Sequence, residues 1–138
     1  MAEVLVRLQN APDLVGDHVV DCLQEDEMAR RSIEREMAPI PDRIRSAIRE
    51  VDPTAQVILY GSRARGDAAP DSDWDIVVLV DGQVTARREE AIIHRLFELE
   101  LEIDIVLSSI VHSKEDWASH LFQAMPFHEN VTREGITL

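Results

Sequence analysis

The chain has 138 residues, of which 45% are hydrophobic and 30% charged, and its formal net charge is −13. This length suits a domain with its own core, and the composition is ordinary for a globular protein. The negative charge argues against binding nucleic acid through the phosphate backbone, which requires a basic surface.

Residues 1–38 predict a helical extension in front of the main domain, which we place at residues 39–138. Apolar residues at helical spacing indicate one helix over 13–24, and the charged stretch 25–37 indicates a second. Prolines follow directly and end the helical pattern. We therefore expect two domains, with a helical region first.

The compartment is predicted from features that the sequence lacks. No secretory signal pattern is evident, and no apolar run approaches the roughly 18 residues that a membrane span needs. Cys22 is the sole cysteine, so an intrachain disulfide is excluded. We expect a cytoplasmic protein that binds no membrane and no nucleic acid.

Residues 39–138 predict short strands between helices. Apolar spacing and the positions of glycine and proline set the expected bounds. In chain order these are a helix near 41–51, a strand at 56–60, a short helix at 62–66, a strand at 73–80, a helix at 85–100, a strand at 101–107, and helices near 114–124 and 130–134. The predicted class is α/β (α+β), a small mixed β-sheet covered by helices.

The residues best suited to catalysis or ligand binding cluster in the run VILYGSRARGDAAPDSDWDIVV, which includes most of the first two predicted strands. Asp73 and Asp75 stand two residues apart on a strand and therefore project from the same face. Neighbouring carboxylates repel each other unless a cation lies between them, and Mg²⁺ prefers such oxygen ligands together with substrate phosphates. The turn at Gly61-Ser62 can offer backbone N–H groups to a phosphate. The run predicts a nucleotide–metal site.

The motif GSRARG followed by SDWD resembles the minimal nucleotidyltransferase (MNT) branch of the polymerase-β-type nucleotidyltransferases. That branch carries a third acid between apolar residues on a later strand, and Asp104 between two isoleucines matches it. The C-terminal stretch PFHENVTREGITL also resembles the usual ending of the family. The resemblance covers roughly residues 40–138 and implies the polymerase-β-like nucleotidyltransferase fold.

The resemblance also implies roles for individual residues. The expected catalytic and metal-binding acids are Asp73, Asp75 and Asp104, and the expected nucleotide-binding residues are Gly61, Ser62, Arg65 and Ser72. If the second and third strands pair, the acids can converge and hold two Mg²⁺ ions about 3.5–4 Å apart, as in in-line phosphoryl displacement. Glu102 projects from the same strand face as Asp104 and remains the alternative third acid.

Other side chains of the motif keep two interpretations open. Ser62 can contact the phosphates, cap its own helix, or do both. Arg65 can bind a phosphate or fix the acidic loop by an ion pair, while Arg63 is predicted to be exposed. Three aromatic residues of the C-terminal region are expected to pack there or, if exposed, to mark a partner surface: Trp117, Phe122 and Phe127.

The resemblance implies a Mg²⁺-dependent transfer of a nucleoside monophosphate, AMP from ATP, to a hydroxyl group. MNT proteins often pair as antitoxins with a small helical HEPN-type toxin, and some add AMP to a tyrosine of that partner. Two alternatives stay open. One is a non-catalytic protein-binding antitoxin, and the other is a small-molecule nucleotidyltransferase of the aminoglycoside type.

Overall fold

The computed structural model describes residues 24–31 and 38–138. It has two compact units, Met1–Ala38 and Pro39–Leu138. Residues 24–31 are helical, in agreement with the helix predicted from residue 25, whereas the helix predicted over 13–24 lies almost wholly outside the described residues. Our assignment of the two parts as an extension and a nucleotidyltransferase domain stays a prediction.

The second unit is a mixed four-stranded sheet with helices on both faces. The strand order is β3-β2-β1-β4; β2 and β3 run parallel, and the other two pairs are antiparallel. The elements are α1 (Ile40–Val51), β1 (Gln56–Tyr60), α2 (Ser62–Arg65), β2 (Trp74–Val80), α3 (Ala86–Ile103), β3 (Leu107–Ser113), α4 (Lys114–Trp117), α5 (His120–Gln123), α6 (Pro126–Glu134) and β4 (Ile136–Thr137). This architecture confirms the predicted fold class.

The central strand β2 is buried from both sides. Ile76, Val78 and Val80 pack in the larger core, which contains the apolar stripes of α1 and α3. Val77 and Leu79 face the other way and pack in a smaller cluster with α6. Because side chains alternate along a strand, this pattern also fixes the direction of the acids at the start of β2.

The third strand lies further along the chain than predicted. The prediction of a strand over 101–107 is wrong, because α3 runs to Ile103 and β3 begins only at Leu107. Ile103 continues the helical spacing of the buried α3 residues Leu96 and Leu99 and packs against the core. Apolar and acidic residues also alternate from Leu101 to Ile105, so the local pattern fitted both a helix and a strand. Asp104 ends the helix in the left-handed conformation, with φ 53° and ψ 53°.

Serine and proline determine the elements after β3. The helix expected near 114–124 is divided into α4 and α5, because the Ser119 hydroxyl accepts a hydrogen bond from Phe122 N–H and caps a new helix. Helix α6 begins earlier than expected, at Pro126, a residue favoured at the first helical position. The short strand β4 follows Gly135 and was not predicted.

The aromatic residues of this C-terminal region pack against one another. Trp117 contacts the rings of Phe127 and His128, with centroid distances of 6.1 and 4.5 Å. Phe127 meets Tyr60 of β1 edge-on at 5.4 Å. All these side chains are at least partly buried. Their placement supports the packing interpretation over that of free aromatic anchors.

An ionic network joins the loops at the end of the sheet where β2 finishes. Asp52, after α1, is buried and accepts hydrogen bonds from Arg88 Nε at 2.6 Å and from the Thr54 hydroxyl at 2.6 Å. Lys114 bonds the Thr54 carbonyl at 2.9 Å and pairs with Asp81 at 2.9 Å. The network thereby ties α1, α3 and α4 to the end of the sheet.

None of the helices in the described part of the chain combines the length and the apolar character needed to cross a bilayer.

Candidate active site

The two motif acids lie where β2 begins. Asp75 is paired with Tyr60 of β1 on one side and with Ser108 of β3 on the other. Paired residues project from the same face of a sheet, so these three side chains form a row across three strands. Asp73 precedes the strand and is exposed, while Asp75 is partly buried. The structure thus brings the predicted acids Asp73 and Asp75 together.

The charges around Asp75 favour a cation. Burial raises the pKa of the Asp75 carboxyl, the nearby negative charge of Asp73 raises it further, and Arg65 lowers it only in part. Burial and the charge of Asp75 also raise the pKa of Tyr60. The two carboxylates therefore repel each other when no positive partner is present, as expected of residues that hold a divalent ion.

Gly61 allows the turn to pass directly over Asp75. Its backbone angles, φ 73° and ψ −156°, lie in a region open almost only to glycine. A Cβ atom at this position would collide with the Asp75 carboxylate. Gly61 also occupies the N-cap of α2, so Ser62 is the first helical residue and the interpretation of Ser62 as the cap is wrong.

Replacing Gly61 by alanine is expected to damage both the fold and the site. The backbone strain alone corresponds to about 1–3 kcal/mol, and the collision additionally displaces the Asp75 carboxylate. Gly66→Ala is the matched control, since Gly66 has φ 83° but no atom within 4 Å of a built Cβ. Urea unfolding should show a larger loss for Gly61→Ala. Equal losses for the two variants would contradict the close approach.

The loop between α2 and β2 is held by Arg63, which the sequence predicted to be exposed. Arg63 is half-buried, and its Nη2 donates to the carbonyl oxygens of Ser72 at 2.9 Å and Pro70 at 3.0 Å. Its guanidinium lies 4.7 Å from the centroid of Trp74. The Ser72 hydroxyl in turn accepts the Ala69 N–H at 2.9 Å. These contacts position the loop immediately before Asp73.

Arg65 makes ion pairs with two acids. Its Nε donates to Asp67 at 3.2 Å, and its Nη1 donates to Glu134 of α6 at 3.2 Å. Of its two predicted roles, the ion pair to the acidic loop is present in the structure. Its backbone N–H donates to the carbonyl of Gly61, the glycine that passes over Asp75, at 3.0 Å, and its charge partly offsets the raised pKa of Asp75.

Neither candidate for the third acid, Asp104 or Glu102, forms a metal-holding group with Asp73 and Asp75. The Glu102 carboxylate pairs with Arg43 of α1 at 3.5 Å and with Arg95 of α3 at 3.6 Å, so it belongs to the helical layer. Ser108, four residues after Asp104, occupies the β3 position beside Asp75. Within residues 24–31 and 38–138, no three acidic, histidine or cysteine side chains are grouped to hold a metal. The role of Asp104 stays a prediction.

A family model described as a nucleotidyltransferase domain matches residues 41–128, which is more than half of the chain. The matched region contains the carboxylate pair, the glycine turn and Asp104. It excludes the last part of α6 and the strand β4.

Two proteins of Methanocaldococcus jannaschii are similar in sequence. "Putative protein adenylyltransferase MJ0141" is 38% identical over 63 residues, which cover 46% of this chain and 64% of that protein. "Putative protein adenylyltransferase MJ0604" is 34% identical over 83 residues, covering 60% of this chain and 76% of that protein. The chain therefore spans less than two thirds of the first relative and about three quarters of the second.

A solved structure, described as a toxin–antitoxin with AMP-PNP, has a similar fold. Its TM-score is 0.53, its sequence identity is 19%, and the match covers 72% of each chain. At this identity the likeness concerns the fold.

Proposed function

The chain belongs to the nucleotidyltransferase domain family, and from this premise we propose that it transfers AMP from ATP to a hydroxyl group. The carboxylate pair of Asp73 and Asp75 beneath the Gly61 turn is the observation that carries the proposal. The names of the two Methanocaldococcus jannaschii relatives favour adenylyl transfer to a protein. The AMP-PNP in the structural neighbour motivates ATP as the donor.

Asp73 and Asp75 fit Mg²⁺, since they supply two close carboxylate oxygens that repel each other when no cation is present. Bound there, Mg²⁺ would neutralise charge on the nucleotide phosphates; we propose two ions, as the resemblance implies. Ser62 and the backbone of the Gly61 turn are proposed to contact the phosphates, with Arg65 beside them. Ser72 is proposed to act close by, at the end of the loop.

The proposed reaction is an in-line displacement. The acceptor oxygen attacks the α-phosphorus of ATP, the bond from that phosphorus to the bridging oxygen breaks, and pyrophosphate leaves. The acceptor proton passes to a general base. We propose Asp104 for this role, at the C-cap of α3 and outside the carboxylate pair that would hold the metal. Catalysis then depends mainly on positioning the two reactants and on neutralising phosphate charge.

We further propose that the acceptor is a tyrosine of a HEPN-type toxin and that the chain acts as its antitoxin. The neighbour described as a toxin–antitoxin and the relatives named for protein adenylylation motivate this partner. A net charge of −13 favours a partner with a basic face and association that slows as salt is added. Neutralisation by contact alone and transfer to a small molecule are the competing functions.

Asp104→Asn is expected to separate binding from chemistry. Asparagine tolerates the left-handed conformation at residue 104, so the backbone should be retained. Mg²⁺–ATP affinity should equal that of the wild type, while transfer falls by roughly a hundredfold, the scale of a lost general base. Calorimetry and a pyrophosphate-release assay with the acceptor measure the two effects.

Glu102→Gln is the matched control, because the Glu102 carboxylate is engaged by Arg43 and Arg95. It should retain both binding and transfer. If Glu102→Gln abolished transfer while Asp104→Asn preserved it, the assignment of the third acid would be wrong.

A further inference from the structure

Among the described residues, an ion pair between Arg65 and Glu134 joins the GSRARG motif to the C-terminal helix α6. Arg65 Nη1 lies 3.2 Å from Glu134 Oε2, across 69 positions of sequence. On the other side, Arg65 Nε lies 3.2 Å from Asp67. The guanidinium is therefore held between an acid of its own loop and an acid from the end of the chain.

Packing at the end of α6 fixes the position of Glu134. A Cβ atom on the next residue, Gly135, would collide with the Val131 carbonyl and the Ile58 side chain, so the chain passes tightly over β1 here. Strand β4 then pairs with β1, and Leu138 N–H donates to the Val57 carbonyl at 2.9 Å. The Glu134 side chain is 25% exposed, against 62% for the neighbouring Arg133. Glu134 thus stands on an anchored segment.

An anchored guanidinium is better prepared to bind a phosphate. Arginine has five N–H donors, and the contacts to Asp67 and Glu134 occupy two of them. Arg65 lies one helical turn after Gly61, because its backbone N–H donates to the Gly61 carbonyl at 3.0 Å, and Gly61 passes directly over the Asp75 carboxylate. The Arg65 side chain therefore leaves the backbone close to the carboxylate pair. Holding a flexible side chain in place before the ligand arrives reduces the entropy lost on binding.

We propose that Glu134 is a positioning residue for nucleotide binding, which fixes the Arg65 guanidinium beside Asp73 and Asp75. This role rests on the proposed function of the site. The proposal also assigns a function to the C-terminal segment, since β4 and Gly135 place Glu134 against the GSRARG motif near the middle of the chain.

Glu134→Gln in the full chain should weaken Mg²⁺–ATP binding by about tenfold, the scale of a partly lost charge-assisted hydrogen bond. Removing a negative charge would by itself favour an anionic nucleotide, so weaker binding identifies a loss of position. Glu129→Gln removes an equal charge from an exposed site on the same helix and should not weaken binding. Calorimetry measures the affinities.

A double-mutant cycle with Arg65→Gln tests whether Glu134 acts through Arg65. In the Arg65→Gln background, Glu134→Gln should have no further effect on Mg²⁺–ATP affinity. Unchanged or tighter binding by Glu134→Gln, or an equal loss in both backgrounds, would overturn the proposal. If the wild-type chain bound no Mg²⁺–ATP, the proposed function itself would fail, which the cycle distinguishes from failure of this role.

Discussion

The double variant Asp73→Asn, Asp75→Asn is expected to lose Mg²⁺-dependent ATP binding while retaining its fold. Both carboxylates stand at the start of β2, and amide oxygens replace them without the charge that a divalent ion requires. Transfer should fall by at least about a hundredfold, as expected when charge neutralisation of the phosphates is lost. Calorimetry with Mg²⁺–ATP, with and without EDTA, measures the binding.

The fold of this variant should be as stable as the wild type or more so. The pKa of Asp75 is raised by burial and by Asp73, so the folded state binds protons more readily than the unfolded state. The ionised carboxylate therefore opposes folding at neutral pH, and the advantage of asparagine should shrink as the pH falls towards 3.8. Asp71→Asn, at an exposed position of the same loop, is the control. Equal Mg²⁺–ATP affinity in the double variant would refute the site.

Arg88→Ala is expected to destabilise the fold by about 3 kcal/mol, the lower range for breaking a buried ion pair. Arg88 pairs with Asp52 at 2.6 Å, and the Asp52 side chain is only 7% exposed. Without Arg88, a buried carboxylate loses its charged partner. Arg88 also donates to the backbone carbonyls of Asp81 and Gln83, so the loop before α3 should loosen. Urea denaturation at neutral pH measures the loss.

The effect of Arg88→Ala should depend on pH. Burial alone would raise the pKa of Asp52, but hydrogen bonds from Arg88 and Thr54 outweigh it, and the pKa is lowered. The ion pair therefore stabilises the fold above the unfolded pKa of 3.8, and this contribution is lost as the pH falls through the lower folded value. Arg87→Ala, at an exposed neighbouring position, should be nearly neutral. Equal losses for the two variants would contradict the account of the network.

The first half of the site was predictable because its signals are local. Strand β1, the Gly61 turn and the acids of β2 follow one another within about twenty residues, and their apolar spacing allows one register. The third strand was misplaced because residues 101–107 fit both a helix and a strand. Packing of Ile103 against the core decides between them, and that packing is not visible in a local pattern.

Contacts between distant residues account for what the sequence left open. The neighbouring sequence does not distinguish Arg63 from Arg65. In the structure Arg63 packs on Trp74, whereas Arg65 pairs with Glu134. Ser108 lies beside Asp75 only because β3 pairs with β2 in a register that follows from where α3 ends. The stretch PFHENVTREGITL was part of the family resemblance, and it was the available signal for Glu134.

The most direct test of nucleotidyl transfer follows the two ends of the ATP phosphate chain separately. The full chain is incubated with Mg²⁺ and the lysate of its source, once with α-labelled and once with γ-labelled ATP. We expect a partner protein to acquire the α label in a Mg²⁺-dependent manner and the γ label to leave as pyrophosphate. Labelling from γ-labelled ATP alone, or no labelling of any acceptor from α-labelled ATP, would contradict this expectation.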